Sequence, residues 1–162
     1  MYSLIAWEST DDVIRPLQLR DADECDAIIA GLPDWFGNAD GIRDAAAAVR
    51  THEGLVAEDD RGVAGFLTLV HPYPTTSEVS WMAVRRDRHR TGVGTALLEA
   101  ALDLLRTRDV RLLTVKTLSD REDPGAEYAQ TRAFYLASGF VAVTELDIWG
   151  PENPCQLLAR PT

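Results

Sequence analysis

The sequence predicts an α/β (α+β) domain in which a mixed sheet is covered by helices. Three observations carry that expectation. Apolar, β-rich runs alternate with segments of helical periodicity, in the order strand, two helices, three strands, helix, strand, helix, two strands. One of those helices is so clearly two-sided that its apolar face must rest on a sheet. The 162 residues, with 46% hydrophobic and 26% charged content, suit one globular domain with its own core, spanning residues 1–162.

Residues 13–20 alternate apolar and polar side chains as a half-buried strand does, and residues 21–32 carry helix signals, with acids in the first turn and Gly31 near the end. The following Leu32-Pro33-Asp34-Trp35-Phe36-Gly37-Asn38 sets two aromatics between turn formers, and Asn38 or Asp40 can cap an alanine-rich helix running to about Arg50. Residues 55–58 and 63–70 are β-rich runs joined by Asp59-Asp60-Arg61-Gly62, a hairpin signal. A third run, 78–84, follows a loop holding Pro72 and Pro74. After Gly94 comes the clearest helix, with Leu97, Leu98, Ala101, Leu102, Leu104 and Leu105 on one side and Thr95, Glu99, Asp103 and Arg106 on the other. Residues 111–118 read as a strand, an acidic Pro/Gly loop follows, 126–138 are helical, and 141–146 and 156–160 close the sheet. No internal repeat or low-complexity segment interrupts this order.

Composition excludes several function classes. A formal net charge of −10 repels a phosphate backbone on average, so no nucleic-acid partner is expected. Lys116 is the one lysine, and the remaining cations are arginines, whose planar fork suits phosphate. Cys25 and Cys155 stand far apart in no metal-ligand or redox spacing, which fits a reducing cytoplasm. The apolar patch Leu4 to Trp7 has no basic region before it, and no apolar run reaches the roughly 20 residues of a membrane span, so an unexported protein with no membrane partner is expected. The acidic loop 120–125 lacks calcium-loop spacing, His52 and His71 stand alone, and no Gly-x-Ser-x-Gly elbow occurs. Neither a metal nor a serine nucleophile is expected.

The most informative stretch joins the third run to the two-sided helix: Val84-Arg85-Arg86-Asp87-Arg88-His89-Arg90-Thr91-Gly92-Val93-Gly94-Thr95. Glycines at 92 and 94 leave no side chain over the backbone, so successive N–H groups can converge, and the helix N-terminus adds roughly half a positive charge. Such a concavity wants a phosphate. Arg85, Arg86, Arg88 and Arg90 form a local cationic cluster in an otherwise acidic chain, which would focus an anionic ligand. No Lys-Ser or Lys-Thr follows the glycines, and Leu97 stands where a dinucleotide fingerprint has its third glycine, so those two phosphate loops are excluded.

Ala83-Val84 followed by His89-Arg90-Thr91-Gly92-Val93-Gly94 resembles the acyl-CoA loop of the GNAT N-acetyltransferase superfamily, Gln/Arg-x-x-Gly-x-Gly/Ala, with His89 where the family usually has Gln or Arg. Residues 130–140, Gln130-Thr131-Arg132-Ala133-Phe134-Tyr135-Leu136-Ala137-Ser138-Gly139-Phe140, are similar to the family's Asn-x-x-Ala-x-x-Phe-Tyr-x-x-x-Gly-Phe pattern, with Gln130 replacing Asn. Without the family, Gly139 and Phe140 already read as a left-handed helix cap and its hydrophobic clamp. The element order is that of the superfamily along the whole chain. The resemblance implies a mostly antiparallel sheet of six to seven strands with about four helices, and acetyl-CoA as co-substrate.

It also implies roles. Met82, Ala83 and Val84 would pair with the pantetheine arm as an added strand does, and His89, Arg90, Thr91, Gly92, Val93, Gly94 and Thr95, with Gln130, would bind the rest of the coenzyme. Tyr135 would be the general acid that protonates a departing thiolate whose thiol has a pKa of about 8.5. Helical periodicity points Tyr135 away from Ala126, Ala133 and Ala137, the small residues expected to face the sheet. Glu78 resembles the glutamate some members use as base, directly or through water, and strand alternation puts it with Ser80, Met82 and Val84, opposite Val79, Trp81 and Ala83. Trp35, Phe36 and Trp81 are candidate walls of the acceptor pocket, and Asp34 or Glu78 a candidate counter-charge for an amine. Trp149, in the dense turn before the last strand, can reach a neighbouring subunit in a homodimer or the pocket.

The expected function is direct transfer of an acetyl group from acetyl-CoA to the amine of a small molecule or peptide. The alternative is a non-catalytic acyl-CoA sensor on the same fold. An aminoglycoside, polyamine, amino acid or protein terminus would all serve as acceptor, and the loop does not read the acyl tail.

Overall fold

In a computed structural model describing residues 12–121 and 124–162, seven strands and four α-helices follow the expected order. The patch Leu4 to Trp7, and Glu122 and Asp123 of the acidic loop, lie outside the described residues. The chain runs through β1 (Val13–Pro16), α1 (Ala22–Ala30), α2 (Ala39–Thr51), β2 (Glu53–Asp59), β3 (Gly62–Tyr73) and β4 (Thr76–Val84). It continues through α3 (Val93–Arg106), β5 (Leu112–Leu118), α4 (Ala126–Ala137), β6 (Val141–Leu146) and β7 (Cys155–Pro161).

The strands form one sheet in the order β1-β2-β3-β4-β5-β7-β6. Every pairing is antiparallel except β4 with β5, which α3 connects as a crossover. The hairpin expected at residues 59–62 forms, with the Asp59 carboxylate accepting from the Arg61 N–H at 2.9 Å. Asn38 caps α2 by accepting from the Gly41 N–H. Boundaries shift where proline acts: β1 ends at Pro16, short of the expected residue 20, and a 3₁₀ turn over Leu19–Asp21 leads into α1. In β3, by contrast, Pro72 is carried inside a strand that reaches Tyr73, so the expected loop shrinks to a tight turn before Thr76.

Alternation along the central strands builds two cores on opposite faces. Leu55, Ala57, Leu67 and Leu69 of β2 and β3 meet Leu97, Leu98, Ala101, Leu102 and Leu105 of α3, joined by Tyr135 and Phe140 from and beyond α4. Val56, Val63 and Phe66 meet Ile28, Ile29, Ala45 and Val49 of α1 and α2 on the other face. The α3 stripe expected from the sequence is the buried one, with Leu104 at its half-buried margin.

Leu102 is fully buried, so Leu102→Ala should lower unfolding free energy by about 3 kcal/mol in a urea titration, through lost transfer energy and the cavity left behind. A change under about 1 kcal/mol would contradict this packing.

Candidate active site

The sheet comes apart along β4. Pairing with β5 runs from Thr76↔Leu112 to Val79↔Val115 and stops, although β4 continues to Val84 and β5 to Leu118. Beyond Val79 the β4 edge that faces β5 has no strand partner among the described residues. An extended chain entering this fork could take the missing place in the ladder.

On its other edge β4 stays paired with β3, but Thr68 opposes Trp81 while Leu69 opposes Val79, so Ser80 is the extra residue of a bulge. The bulge breaks the alternation. Val79, Met82 and Val84 pack on the α3/α4 core, while Trp81 and Ala83 belong to the α1/α2 side. The Ser80 hydroxyl is hydrogen-bonded on that second side to Thr68 Oγ1 at 2.8 Å and His52 Nδ1 at 3.1 Å. Glu78 alternates with Val79 and so faces α1/α2 as well. The expected grouping of Glu78 with Met82 and Val84 is thus corrected: Glu78 shares its face with Ser80 and Trp81, opposite Met82.

Glu78 is not a strand-edge carboxylate in solvent. Both its oxygens accept from Lys116 Nζ, each at 2.9 Å, across the last rungs of the β4–β5 ladder. The side chains are 18% and 30% exposed, so the ion pair is half-buried at the vertex of the fork.

Tyr135 approaches the fork from the opposite face. It is buried, with its hydroxyl donating to Met82 Sδ at 3.7 Å and its ring edge-on to Phe134 and Phe140. Burial pushes the phenol pKa well above its ordinary value, so Tyr135 keeps its proton through neutral pH. The expected packing face of α4 is reversed. Ala126, Ala133 and Ala137 are exposed while Phe134 and Tyr135 turn inward, because large rings bury more apolar area than alanines do. Gly139, at φ +89°, and Phe140 close the helix as expected.

The loop between β4 and α3 contributes main-chain donors. Gly92 caps α3 at φ +89°, a conformation that disfavours side chains, and no side chain caps the helix. The first helical bond runs from the Ala96 N–H to Gly92 O, leaving the N–H groups of Val93, Gly94 and Thr95 without a main-chain acceptor among the described residues. Gly94 has a different reason to be glycine: a Cβ there would sit 3.1 Å from Met82 Cε and 3.4 Å from the Phe134 ring. Loop, strand end and α4 thus meet at Gly94, Met82, Phe134 and Tyr135. His89 turns back, its Nε2 donating to Val84 O at 2.7 Å, and so braces the loop to the strand end. Thr91 Oγ1 donates to Arg88 O at 2.7 Å, and Gln130 is exposed on α4.

The aromatic loop before α2 crosses to α4. The Trp35 indole donates to Glu127 O at 3.2 Å and Thr131 Oγ1 at 3.3 Å, and the Tyr128 hydroxyl donates to Trp35 O at 2.9 Å. Phe36 stacks on Trp81 with ring centres 5.8 Å apart. These aromatics wall the α1/α2 side of β4, whereas Trp149 is exposed in the β6–β7 connection.

A family model described as an acetyltransferase (GNAT) domain matches residues 50–142, from the end of α2 to the start of β6. The chain belongs to the GNAT acetyltransferase family. Solved structures share its fold. A GNAT-family protein from Desulfovibrio desulfuricans superposes with a TM-score of 0.80 at 22% identity, covering 93% of this chain and 98% of that one. The ribosomal-protein-S18-alanine N-acetyltransferase from Escherichia coli gives 0.70 at 20% identity, with 93% of each chain covered. An aminoglycoside 6′-N-acetyltransferase complexed with coenzyme A gives 0.70 at 16% identity, covering 92% and 96%. No curated protein sequence matches the chain.

In this GNAT protein the arginine cluster is not the anion trap that its sequence promised. Arg85 pairs with Asp59 at 2.6 Å and Asp87 at 2.7 Å, and Arg88 with Asp59 at 2.6 Å and Asp12 at 2.8 Å. Arg86 pairs with Asp34 at 3.1 Å and lies over the Trp35 ring, which also removes Asp34 as a free counter-charge. Among the described residues Arg90 alone of the four makes no ion pair. Lys116, the sole lysine and set on an apolar strand, belongs to the site although no motif marks it. His52 and His71, isolated in the sequence, are partnered in the fold: His52 bonds Ser80, and His71 bonds Ser77 and Glu53. Among the described residues no group of three or more His, Cys, Asp or Glu side chains is placed to hold a metal, and no helix is long and apolar enough to cross a membrane.

Asp59 anchors the network. Burial alone would raise its pKa, but hydrogen bonds from Arg85, the Arg61 N–H and Arg88 outweigh this and hold it at about 2. A carboxylate depressed by folding contributes stability above its unfolded pKa of about 3.9, and that contribution fades as pH falls towards 2. Asp59→Asn should therefore cost about 2 kcal/mol at pH 7, and its deficit against wild type should shrink between about pH 5 and pH 2 in urea titrations. A deficit independent of pH would place the effect elsewhere.

Proposed function

We propose that this protein is an acetyl-CoA-dependent N-acetyltransferase that passes the acetyl group directly to the amine of a small-molecule or peptide acceptor. One observation carries the reading: the fork between β4 and β5 is flanked by Glu78 on one face and by the Tyr135 hydroxyl on the other. A thioester in the plane of the sheet would meet a base from one side and an acid from the other. The residues present fit the coenzyme. The unpaired edge from Met82 to Val84 suits pantetheine, and the open N–H groups of Val93 to Thr95, with Arg90 nearby, suit a pyrophosphate. Acetyl-CoA supplies the activated thioester and the leaving thiol.

The chain's own groups account for the proton traffic. Glu78, directly or through water, takes one proton from the acceptor ammonium and releases it to solvent, so that the lone pair can attack the thioester carbonyl. A main-chain N–H at Met82 to Val84 polarises the carbonyl oxygen as charge develops. A nitrogen–carbon bond forms and the carbon–sulfur bond breaks. Tyr135 donates its proton to the departing sulfur, and the second proton shed by the nitrogen restores the phenol through water. Trp35, Phe36 and Trp81 keep water from the acceptor side. The similar structures differ in acceptor, an aminoglycoside in one and a ribosomal-protein alanine in another, so the fold leaves the acceptor open.

Tyr135→Phe should lower kcat by roughly 10²-fold or more while calorimetry shows coenzyme A binding little changed. Equal turnover by the variant would remove Tyr135 from the reaction. Glu78→Gln should cut kcat/KM for amine acceptors by roughly 10²-fold, with rates recovering as pH rises and the amine deprotonates unaided. A coenzyme A titration that gives no heat, together with no thiol release from any amine, would sink the assignment.

A further inference from the structure

The Glu78–Lys116 ion pair bears on the class of acceptor. The Glu78 carboxylate on which the acceptor amine would rely is already engaged through both oxygens by Lys116, the one lysine of the chain. A monocation bringing only an ammonium group competes with Lys116 for Glu78 and adds an uncompensated positive charge beside a half-buried ion pair. An acceptor bringing a carboxylate as well exchanges one ion pair for two and strands neither charge. The local charge sum points the same way. On this face of β4 and β5 Glu78 and Lys116 are the charged side chains, while Asp34 at the rim is already paired with Arg86. The two strands therefore bring no net charge to this face, which matches a zwitterion rather than a polycation. Its remaining lining suits a compact ligand of this kind. Thr114, 3.5 Å from the Glu78 carboxylate, and Ser80 supply hydroxyls, and the Phe36–Trp81 stack supplies an apolar wall.

Building on the acetyl-transfer reading, we propose that the acceptor is a free α-amino acid or a close analogue, its ammonium group on Glu78 and its carboxylate on Lys116, which makes Lys116 the specificity-determining residue. The amine loses one proton to Glu78 and attacks the thioester carbonyl. A nitrogen–carbon bond forms as the carbon–sulfur bond breaks, the sulfur takes the Tyr135 proton, the second proton shed by the nitrogen restores the phenol through water, and the product is an N-acetyl amino acid that keeps its carboxylate on Lys116.

The test uses the full-length protein with acetyl-CoA and matched sets of acceptors: an amino acid, its amide and its decarboxylated amine, over several side chains, read by thiol release. Wild type should favour an amino acid over its decarboxylated amine by roughly tenfold to a hundredfold in kcat/KM. Lys116→Met should abolish that preference by losing activity on the acid while keeping or gaining activity on the amine. Lys116→Arg should retain the preference. Amines acetylated as well as or better than the acids by wild type would overturn the proposal while leaving acetyl transfer intact. So would a Lys116→Met variant that slows every acceptor equally, or a panel in which no acid reacts although coenzyme A binds. Absence of coenzyme A binding would overturn the acetyl-transfer reading first, and this inference with it.

Discussion

A β-sheet holds together because each strand edge finds main-chain partners, and in this protein the β4–β5 ladder is released after Val79↔Val115. The rest of the site follows from that release. The strands diverge while both remain anchored on their outer edges, β4 to β3 and β5 to β7, so the gap is held open by the sheet itself. The Ser80 bulge lies at the point of divergence and reorients the strand beyond it. Met82 thereby turns towards Tyr135 and Trp81 towards Phe36. Two faces with different chemistry come to border one opening, an apolar phenol-bearing face and a charged, hydroxyl-lined one.

Under the proposed function, main-chain geometry and not side-chain charge would supply the anion affinity beside this fork. Three of the four arginines beside the glycine loop pair with acids, and the Asp59 network anchors the loop to the β2–β3 turn instead of presenting cations to solvent. What remains available is a set of main-chain amides at the start of α3, aligned by Gly92, plus Arg90. Gly94 allows the helix to approach Met82 and Phe134 closely enough for the loop and the proposed acid to share one pocket wall. The protein's acidity is thus compatible with a diphosphate ligand, because fixed dipoles act locally whereas net charge is screened over about 10 Å.

Under the proposed function, Trp35 and its partners link the α1/α2 side to α4 across the region of the fork. The link joins elements packed on opposite faces of the sheet. It would set the width of the acceptor entrance, and the ion pair beneath it would set the charge that can enter.

The element order, the helix caps at Asn38 and Gly139, the α3 stripe and the glycine loop were all legible in the sequence, because each is a local matter of period, backbone conformation or cap chemistry. What the sequence misled about were features that depend on partners far along the chain. The alternation of β4 reads straight through in the sequence, and only pairing with β3 reveals that Ser80 is an extra residue. Both alanines and aromatics on α4 could face a sheet, and only the space beneath the helix chose the rings. Four arginines within six positions look like a ligand trap until Asp12, Asp34 and Asp59 are folded against three of them. Lys116 and Glu78 lie 38 positions apart and gain meaning from one parallel register. Local chemistry therefore determined which elements form and where the glycine loop caps a helix. Tertiary structure alone decided which charges cancel, because ion pairing depends on distance in space and not on distance in sequence.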